Sequence, residues 1–299
     1  MTLTPRRLKE LGDSGANVLA LLRDMAGLEH NTPEIIEAAY ELQTGEYTAM
    51  MADKKFAEYN AAYCSELARV IDDLGAPATI LEAGVGEATT LSSLLKYLPV
   101  PISYGFDLSW SRVAQARRWL SSNHHHGVEL CTGELEAIPF LDNSIDIVFT
   151  SHAIEPNGGR EAHILRELYR VAREYVVLLE PGYELASDEA RERMKRHGYC
   201  RGLPAEAERL GYTVWEHRLF PHSINPLNPT ALTIIRKQAD TPTLAGIPFA
   251  CPRYRCPLEI VGGEYYSPEA LAVYPTIGGI PCLRPGNVIM ASGYPRMVV

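Results

Sequence analysis

No run of apolar residues in the 299-residue chain approaches the ~20 that a membrane-crossing helix needs, and the opening MTLTPRRLKELGDSG lacks the apolar centre of a secretory signal. Neither membrane insertion nor export is expected, and a cytoplasmic protein is. Cysteine is too sparse for a disulfide scaffold, so the six present read as reduced thiols. Basic charge is short as well: 28 Lys and Arg stand against 37 Asp and Glu, a formal net charge of −9. A broad cationic surface of the kind that holds phosphate backbones is therefore not expected, nor is nucleic acid as a partner. From Gln238 onward four acids meet four bases (Asp240, Glu259, Glu264, Glu269; Arg253, Arg255, Arg284, Arg296), which leaves the acidity to the larger N-terminal part.

What is present is ordinary globular composition, 46% hydrophobic and 22% charged, enough for one sizeable core and a small appended unit. Residues 1–75 read as a helical lead-in or cap, with Leu67, Val70, Ile71 and Leu74 at i, i+3, i+4 and i+7. Within it, Tyr47, Phe56, Tyr59 and Tyr63 form an aromatic stripe with two readings, a core-facing seam or a flap over a cofactor. Tyr47 is taken as a candidate cofactor contact on the second.

From Ala78 the pattern changes to short apolar runs (TILEAG, ISYGFDL, VELCTG, IDIVFTS, YVVLLEP) alternating with amphipathic segments such as SRVAQARRWLSS and EAHILRELYRVA. Such alternation predicts an α/β fold with a doubly wound, mostly parallel, seven-stranded sheet. YTVWEHRLF and LTIIRK would close it as an antiparallel pair at one edge. This central unit is placed at 76–240. A Thr/Pro-containing junction near residue 242 leads to a Pro/Gly/Cys/Tyr-rich β unit over 246–299.

The strongest signal is ILEAGVGEATTL: a buried strand, then Glu82, Gly84 and Gly86, then a helix. Glycines at such a turn let a ligand approach the backbone, and the helix N-terminus offers free N–H groups. A dinucleotide fingerprint would want a third glycine where Thr89 stands. Asp107 ends the next strand about 20 residues on, where a carboxylate can accept both ribose hydroxyls. To this point NAD and S-adenosylmethionine fit equally.

The segment GELEAIPFLDNSIDIVFTSHAIE, from Gly133 to Glu155, completes an order that resembles the class I S-adenosylmethionine-dependent methyltransferases, in particular the group of the ubiquinone and menaquinone biosynthesis enzymes. The shared features are Glu82-Ala83-Gly84-Val85-Gly86, Asp107, an acidic loop from Glu134 to Phe140, and a strand opening Ile145-Asp146, over roughly residues 78–182. The resemblance implies S-adenosylmethionine as cofactor. Glu82, Gly84 and Gly86 would frame its methionine end, Asp107 with Leu108 the ribose, and Glu134 with Leu135 the adenine. Ala88 departs from a glycine common in the loop, and Pro156 from a His common after the Glu.

The sulfonium of that cofactor is already electrophilic, so the protein mainly aligns an acceptor and excludes water. A hydroxyl acceptor would profit from a general base. The loop after the fourth strand, SHAIEPNGGRE, faces the expected acceptor side, and His152 and Glu155 are the catalytic candidates, with capping as the alternative for His152. His124, His125 and His126 read as a solvated loop, because adjacent residues cannot all face one ion. FACPRYRCPLEIVGGEYYSPEALAVYPTIGGIPCLRPG resembles the short zinc-ribbon-like bacterial proteins and the small activator subunit of several RNA and protein methyltransferases. Its zinc pattern is damaged: Cys251, Cys256 and Cys282 leave a four-ligand site incomplete, so no metal is expected. The leading expectation is methyl transfer to O or N of a small-molecule acceptor. One alternative is an RNA or protein methyltransferase with a fused activator-like module, suggested by that tail and by the Arg117/Arg118 pair. Another is a non-catalytic cofactor-binding scaffold. Homo-oligomerisation is left open.

Overall fold

A computed structural model describes residues 4–237 and 248–298; the junction expected near 242 lies outside the described residues. Five helices come first: α1 (Pro5–Asp13), α2 (Val18–Ala26), α3 (Pro33–Leu42), α4 (Glu46–Met50) and α5 (Lys54–Leu74). The Asp53 side chain starts α5 by accepting the Phe56 N–H at 2.9 Å. Leu67, Val70 and Ile71 are buried and Leu74 is half-buried, as the periodicity predicts.

The central unit then alternates β1 (Thr79–Ala83), α6 (Thr89–Tyr97), β2 (Ile102–Asp107), α7 (Trp110–Ser122), β3 (Val128–Thr132), β4 (Ile145–Ser151), α8 (Glu161–Val171) and β5 (Ala172–Pro181). α9 (Asp188–His197), α10 (Leu203–Arg209), β6 (Thr213–Leu219) and β7 (Thr230–Arg236) complete it. The seven strands are ordered β3-β2-β1-β4-β5-β7-β6. β1 to β5 pair in parallel, and β7 is antiparallel to both β5 and β6, so the seven-stranded α/β expectation and its antiparallel edge both hold. Helices cover both faces, which is why β1, β4 and β7 are buried along nearly their whole length. The strand order reverses between β1 and β4, opening a crevice at their carboxyl ends where ligands of doubly wound sheets sit.

Asp146, the acid that opens the fourth-strand motif, is structural. Its carboxylate accepts the Ala78 and Thr79 N–H groups at 2.8 and 3.1 Å and pairs with Arg173 at 2.6 Å, which fixes the entry of β1 beside β4. The Pro-Phe of the acidic loop sends Phe140 into the core, edge-on to Phe249 at 5.3 Å between ring centroids.

The C-terminal residues form β8 (Glu259–Val261), β9 (Glu264–Ser267), β10 (Ala272–Tyr274), β11 (Thr276–Ile277), β12 (Ile280–Pro281), β13 (Ile289–Met290) and α11 (Tyr294–Met297). Four of the strands make a sheet ordered β13-β10-β9-β8, and β11 pairs with β12. This unit seats on the β3 edge: the Leu283 N–H donates to Thr132 O at 3.2 Å, and Phe249, Cys251, Tyr274 and Leu283 join the core that holds Phe106 and Phe140. Among the described residues no helix is long and apolar enough to cross a membrane.

Candidate active site

At the carboxyl ends of β1, β2 and β4 lies a cavity of about 340 Å³. Its floor is the turn after β1. Gly84 and Gly86 have φ of +80° and +54°, conformations that side chains resist. Gly86 N–H donates to Asp107 Oδ2 at 3.0 Å, and Asp107 Oδ1 accepts the Ser109 N–H at 3.0 Å. That carboxylate therefore organises the loop and still lines the cavity. Ala88, the departure from glycine, has φ +58° and is fully buried at the start of α6. A left-handed alanine there costs ~1–2 kcal/mol, so the change is more than a small added volume.

Glu82 is buried, and its Oε2 has no hydrogen-bond partner among the described residues. Burial drives its pKa far above the carboxylate range, against the Leu91 backbone and the Arg112 charge, which pull it down. A buried acid left with a free oxygen asks for a hydrogen-bonding ligand, and a cationic one would draw it back toward the ionised form. Leu108, Glu134 and Leu135 also line the cavity, so every residue expected to touch the cofactor is brought to it. Glu134 is additionally paired with Arg284 at 3.0 Å, and Arg284 pairs with Glu37 of α3, so the C-terminal unit ties the loop after β3 to the lead-in.

The lead-in roofs the site. Tyr40, Tyr47, Phe56, Tyr59 and Tyr63 all line the cavity, so most of the aromatic stripe serves as a wall over the pocket, while Tyr63 also packs edge-on to Phe220 at 5.0 Å in the core. Two acids latch this roof: Glu87 accepts the Gly45 and Thr48 N–H groups at 2.8 Å each, and Glu41 accepts the hydroxyls of Ser109 and Ser111.

On the acceptor side, His152 has φ +55°. Its Nδ1 lies 2.5 Å from Glu155 Oε2, and its Nε2 lies 2.8 Å from Thr230 Oγ1. Burial pushes the His152 pKa down, but the Glu155 hydrogen bond and charge outweigh it and hold the imidazole above its ordinary range. Burial likewise pushes Glu155 up, and His152, Asn228 and Tyr199 bring it below the usual carboxylate value. The contact thus favours the imidazolium–carboxylate form of the pair over the neutral one. A proton-accepting role for His152 opens only above its raised pKa, with Thr230 yielding Nε2.

The sign of the linkage follows. The raised His152 contributes stability below ~6.5 and loses it as pH rises through the folded value; the lowered Glu155 contributes above ~4.3 and loses it as pH falls. Glu155→Gln is expected to cost roughly 1–3 kcal/mol between those limits, with the gap to the native protein shrinking at higher pH. Urea unfolding at a mildly acidic and an alkaline pH measures it, and a gap independent of pH would contradict the ionised pair.

Beneath this loop sits Glu180, which sequence reasoning passed over inside YVVLLEP. Its carboxylate accepts the N–H groups of Ala153, Ile154 and Glu155, all at 3.0 Å, and burial raises its pKa to about 7. An acid at the end of an apolar strand, on the ligand side of the sheet, was the available signal. Tyr40, Glu87, Arg112 and Thr230 were missed too. They come from separate elements and carry no local pattern.

Cys251 and Cys256 both approach the Ser267 hydroxyl, and Cys282 does not join them. Cys251 Sγ is 3.3 Å from Tyr274 Oη and Cys256 Sγ is 3.6 Å from Ser267 Oγ, whereas the Cys282 thiol meets the Ile280 carbonyl. Among the described residues no three His, Cys, Asp or Glu are grouped to hold a metal ion, His124 to His126 included.

Comparison with known proteins agrees with this geometry in fold and in one matched segment. Residues 80–175 match the methyltransferase domain family. A candidate O-methyltransferase of Nostoc punctiforme is 11% identical, with a TM-score of 0.51 over 67% of this chain and 60% of that one. Magnesium protoporphyrin IX methyltransferase from Synechocystis, solved with S-adenosylhomocysteine bound, is 15% identical, with a TM-score of 0.48 over 61% of this chain and 85% of that one. A Haloferax volcanii complex of the Trm112 methyltransferase activator with its candidate methyltransferase gives 16% identity and a TM-score of 0.49 over 66% and 97%. At these identities the likeness to the solved structures is one of fold, a Rossmann-like methyltransferase fold. The methyltransferase domain takes S-adenosylmethionine as cofactor. The residues present fit it: glycines that admit a close approach, a cavity-facing Asp107, and a buried Glu82 with an unpartnered oxygen.

Proposed function

We propose that the protein is an S-adenosylmethionine-dependent methyltransferase that methylates an O–H or N–H group of a small molecule. Glu82, Gly84 and Gly86 hold the methionine end of the cofactor, Asp107 and Leu108 the ribose, Glu134 and Leu135 the adenine, and Tyr47 covers it. The observation that carries the acceptor class is the set of walls around a partly open site. The cofactor residues and the acceptor-side residues line one cavity, walled by Phe56, Tyr59 and Tyr63 from α5 and by Ile224, Asn225 and Asn228 from the β6–β7 loop.

Such walls leave room for a compact, partly apolar acceptor and little for a folded RNA or protein. The acidic balance of the chain favours the same reading. Of the Arg117/Arg118 pair that favoured an RNA or protein substrate, Arg117 is committed to the C-terminal unit, donating to Gly278 O at 2.7 Å. The bound cofactor supplies an electrophilic methyl group. This chain's residues then orient the acceptor: Ser151, His152 and Asn228 offer polar contacts, Glu155 and Thr230 fix the imidazole, and the aromatic roof excludes water. Residues 1–75 act as the cap, 76–240 as the catalytic unit, and 246–299 as a metal-free ribbon-like unit that braces it.

The test uses cofactor labelled in its methyl group, incubated with the protein and fractionated cell extract. Label is expected in the small-molecule fraction. Label recovered only in RNA or protein would overturn the acceptor class, and none in any fraction would favour a scaffold.

A further inference from the structure

One charged group in the cavity has no assigned role. Arg112, in the first turn of α7, extends its guanidinium over Gly86; a Cβ built on that glycine would lie 2.6 Å from Arg112 Nη2. The guanidinium is held between two aromatic rings, 4.9 Å from the Tyr40 centroid and 5.1 Å from that of Tyr47. Stacking of this kind fixes the plane of the fork and leaves its N–H edge free.

Among the described residues no carboxylate lies within 4.0 Å of the Arg112 side chain, and no hydrogen bond from its guanidinium is formed. Arg160, another arginine of the cavity, is by contrast paired with Glu136 at 2.5 Å. Across the same glycine turn stands Glu82 with its unpartnered Oε2. A guanidinium with no hydrogen-bonded acceptor, facing only the more distant charges of Asp107 and Glu87, and a buried acid with one free oxygen thus flank one turn. Each is the complement of half of an α-amino acid zwitterion, the carboxylate for Arg112 and the ammonium for Glu82.

We infer that Arg112 binds the α-carboxylate of the methionine end of the cofactor, with the Tyr40 and Tyr47 rings pre-setting its guanidinium and Glu82 facing the α-ammonium. This rests on the reading of the chain as an S-adenosylmethionine-binding protein. The roof over the site then does two things, since closing α3 and α4 onto α7 places the anchor as well as excluding water. The guanidinium also occupies the space that a side chain at Gly86 would enter.

The discriminating ligand is decarboxylated S-adenosylmethionine, which keeps the adenosyl, sulfonium and ammonium groups and lacks only the carboxylate. Calorimetric titration of the native protein is expected to favour S-adenosylmethionine over it by roughly 10- to 100-fold, the range of a hydrogen bond to a charged group. Arg112→Gln should erase that preference by weakening S-adenosylmethionine alone. Should Arg112→Gln not fold, Arg112→Lys keeps the charge without the planar fork and is expected to give a smaller loss confined to the same ligand.

An equal loss for both ligands would make Arg112 a latch for the roof and overturn the assignment, as would native protein that binds the two equally. Native protein that binds neither would instead remove the cofactor reading itself, a failure seen before any variant is compared.

Discussion

Asp107→Ala is expected to weaken binding of S-adenosylhomocysteine at least about 100-fold, two lost hydrogen bonds to a charged acceptor being worth ~1.5–3 kcal/mol each. The loss has two sources. The carboxylate that would grip the ribose hydroxyls disappears, and so does the acceptor for the Gly86 and Ser109 N–H groups, both at 3.0 Å, which leaves the glycine turn and the start of α7 without their common anchor. Asp107→Asn separates the two: it preserves the shape and one acceptor oxygen but puts an N–H₂ where the second amide donates. An intermediate loss is expected from it. Circular dichroism and the melting temperature of each variant establish that it is folded, and unchanged affinity in a folded Asp107→Ala protein would remove the ribose assignment.

Gly84→Ala is expected to destabilise the fold by about 2–4 kcal/mol. The added methyl would lie 2.4 Å from the Cβ of Ala153, far inside contact distance, and the residue would be forced to hold φ +80°. Ala153 cannot step aside cheaply, because its N–H and those of the next two residues are fixed on the Glu180 carboxylate. Ala153→Gly in the same chain removes the collision and leaves only the backbone strain, so the double variant should recover roughly half of the loss. Urea unfolding of the four proteins of this cycle measures the coupling; strictly additive effects would mean that the turns after β1 and β4 do not meet. Because Ala153 adjoins His152, the single variant should also displace the acceptor side.

The order of strands and helices was legible because each level of the sequence agrees: apolar runs of strand length, amphipathic segments between them, glycines and acids at the turns. That the residues proposed for the cofactor would meet at one cavity was legible for the same reason. Glu82, Gly84, Gly86, Asp107 and Glu134 each end or follow a strand on one side of the sheet, so chain order alone assembles them. Arg112 and Tyr40 were not, since their partnership depends on how α3 crosses α7, which no local periodicity encodes. Glu180 was hidden by its setting, a lone acid at the end of an apolar strand, and its hold on three N–H groups appears only when the neighbouring loop is folded over it. The C-terminal unit was recognised by its Pro, Gly and Cys pattern, whereas its contact with the β3 edge and the reach of Arg284 to Glu134 and Glu37 are tertiary facts. The cysteine spacing pointed to an incomplete metal site, and the hydroxyls of Tyr274 and Ser267 now stand beside Cys251 and Cys256.

The central claim is that this cavity holds S-adenosylmethionine, and titration of the native protein with that molecule, with S-adenosylhomocysteine and with NAD tests it most directly. Saturable, stoichiometric binding of the first two with no heat from NAD is the expected result. Binding of NAD in preference, or of none of the three by a folded protein, would contradict the account and leave the fold without its assigned cofactor.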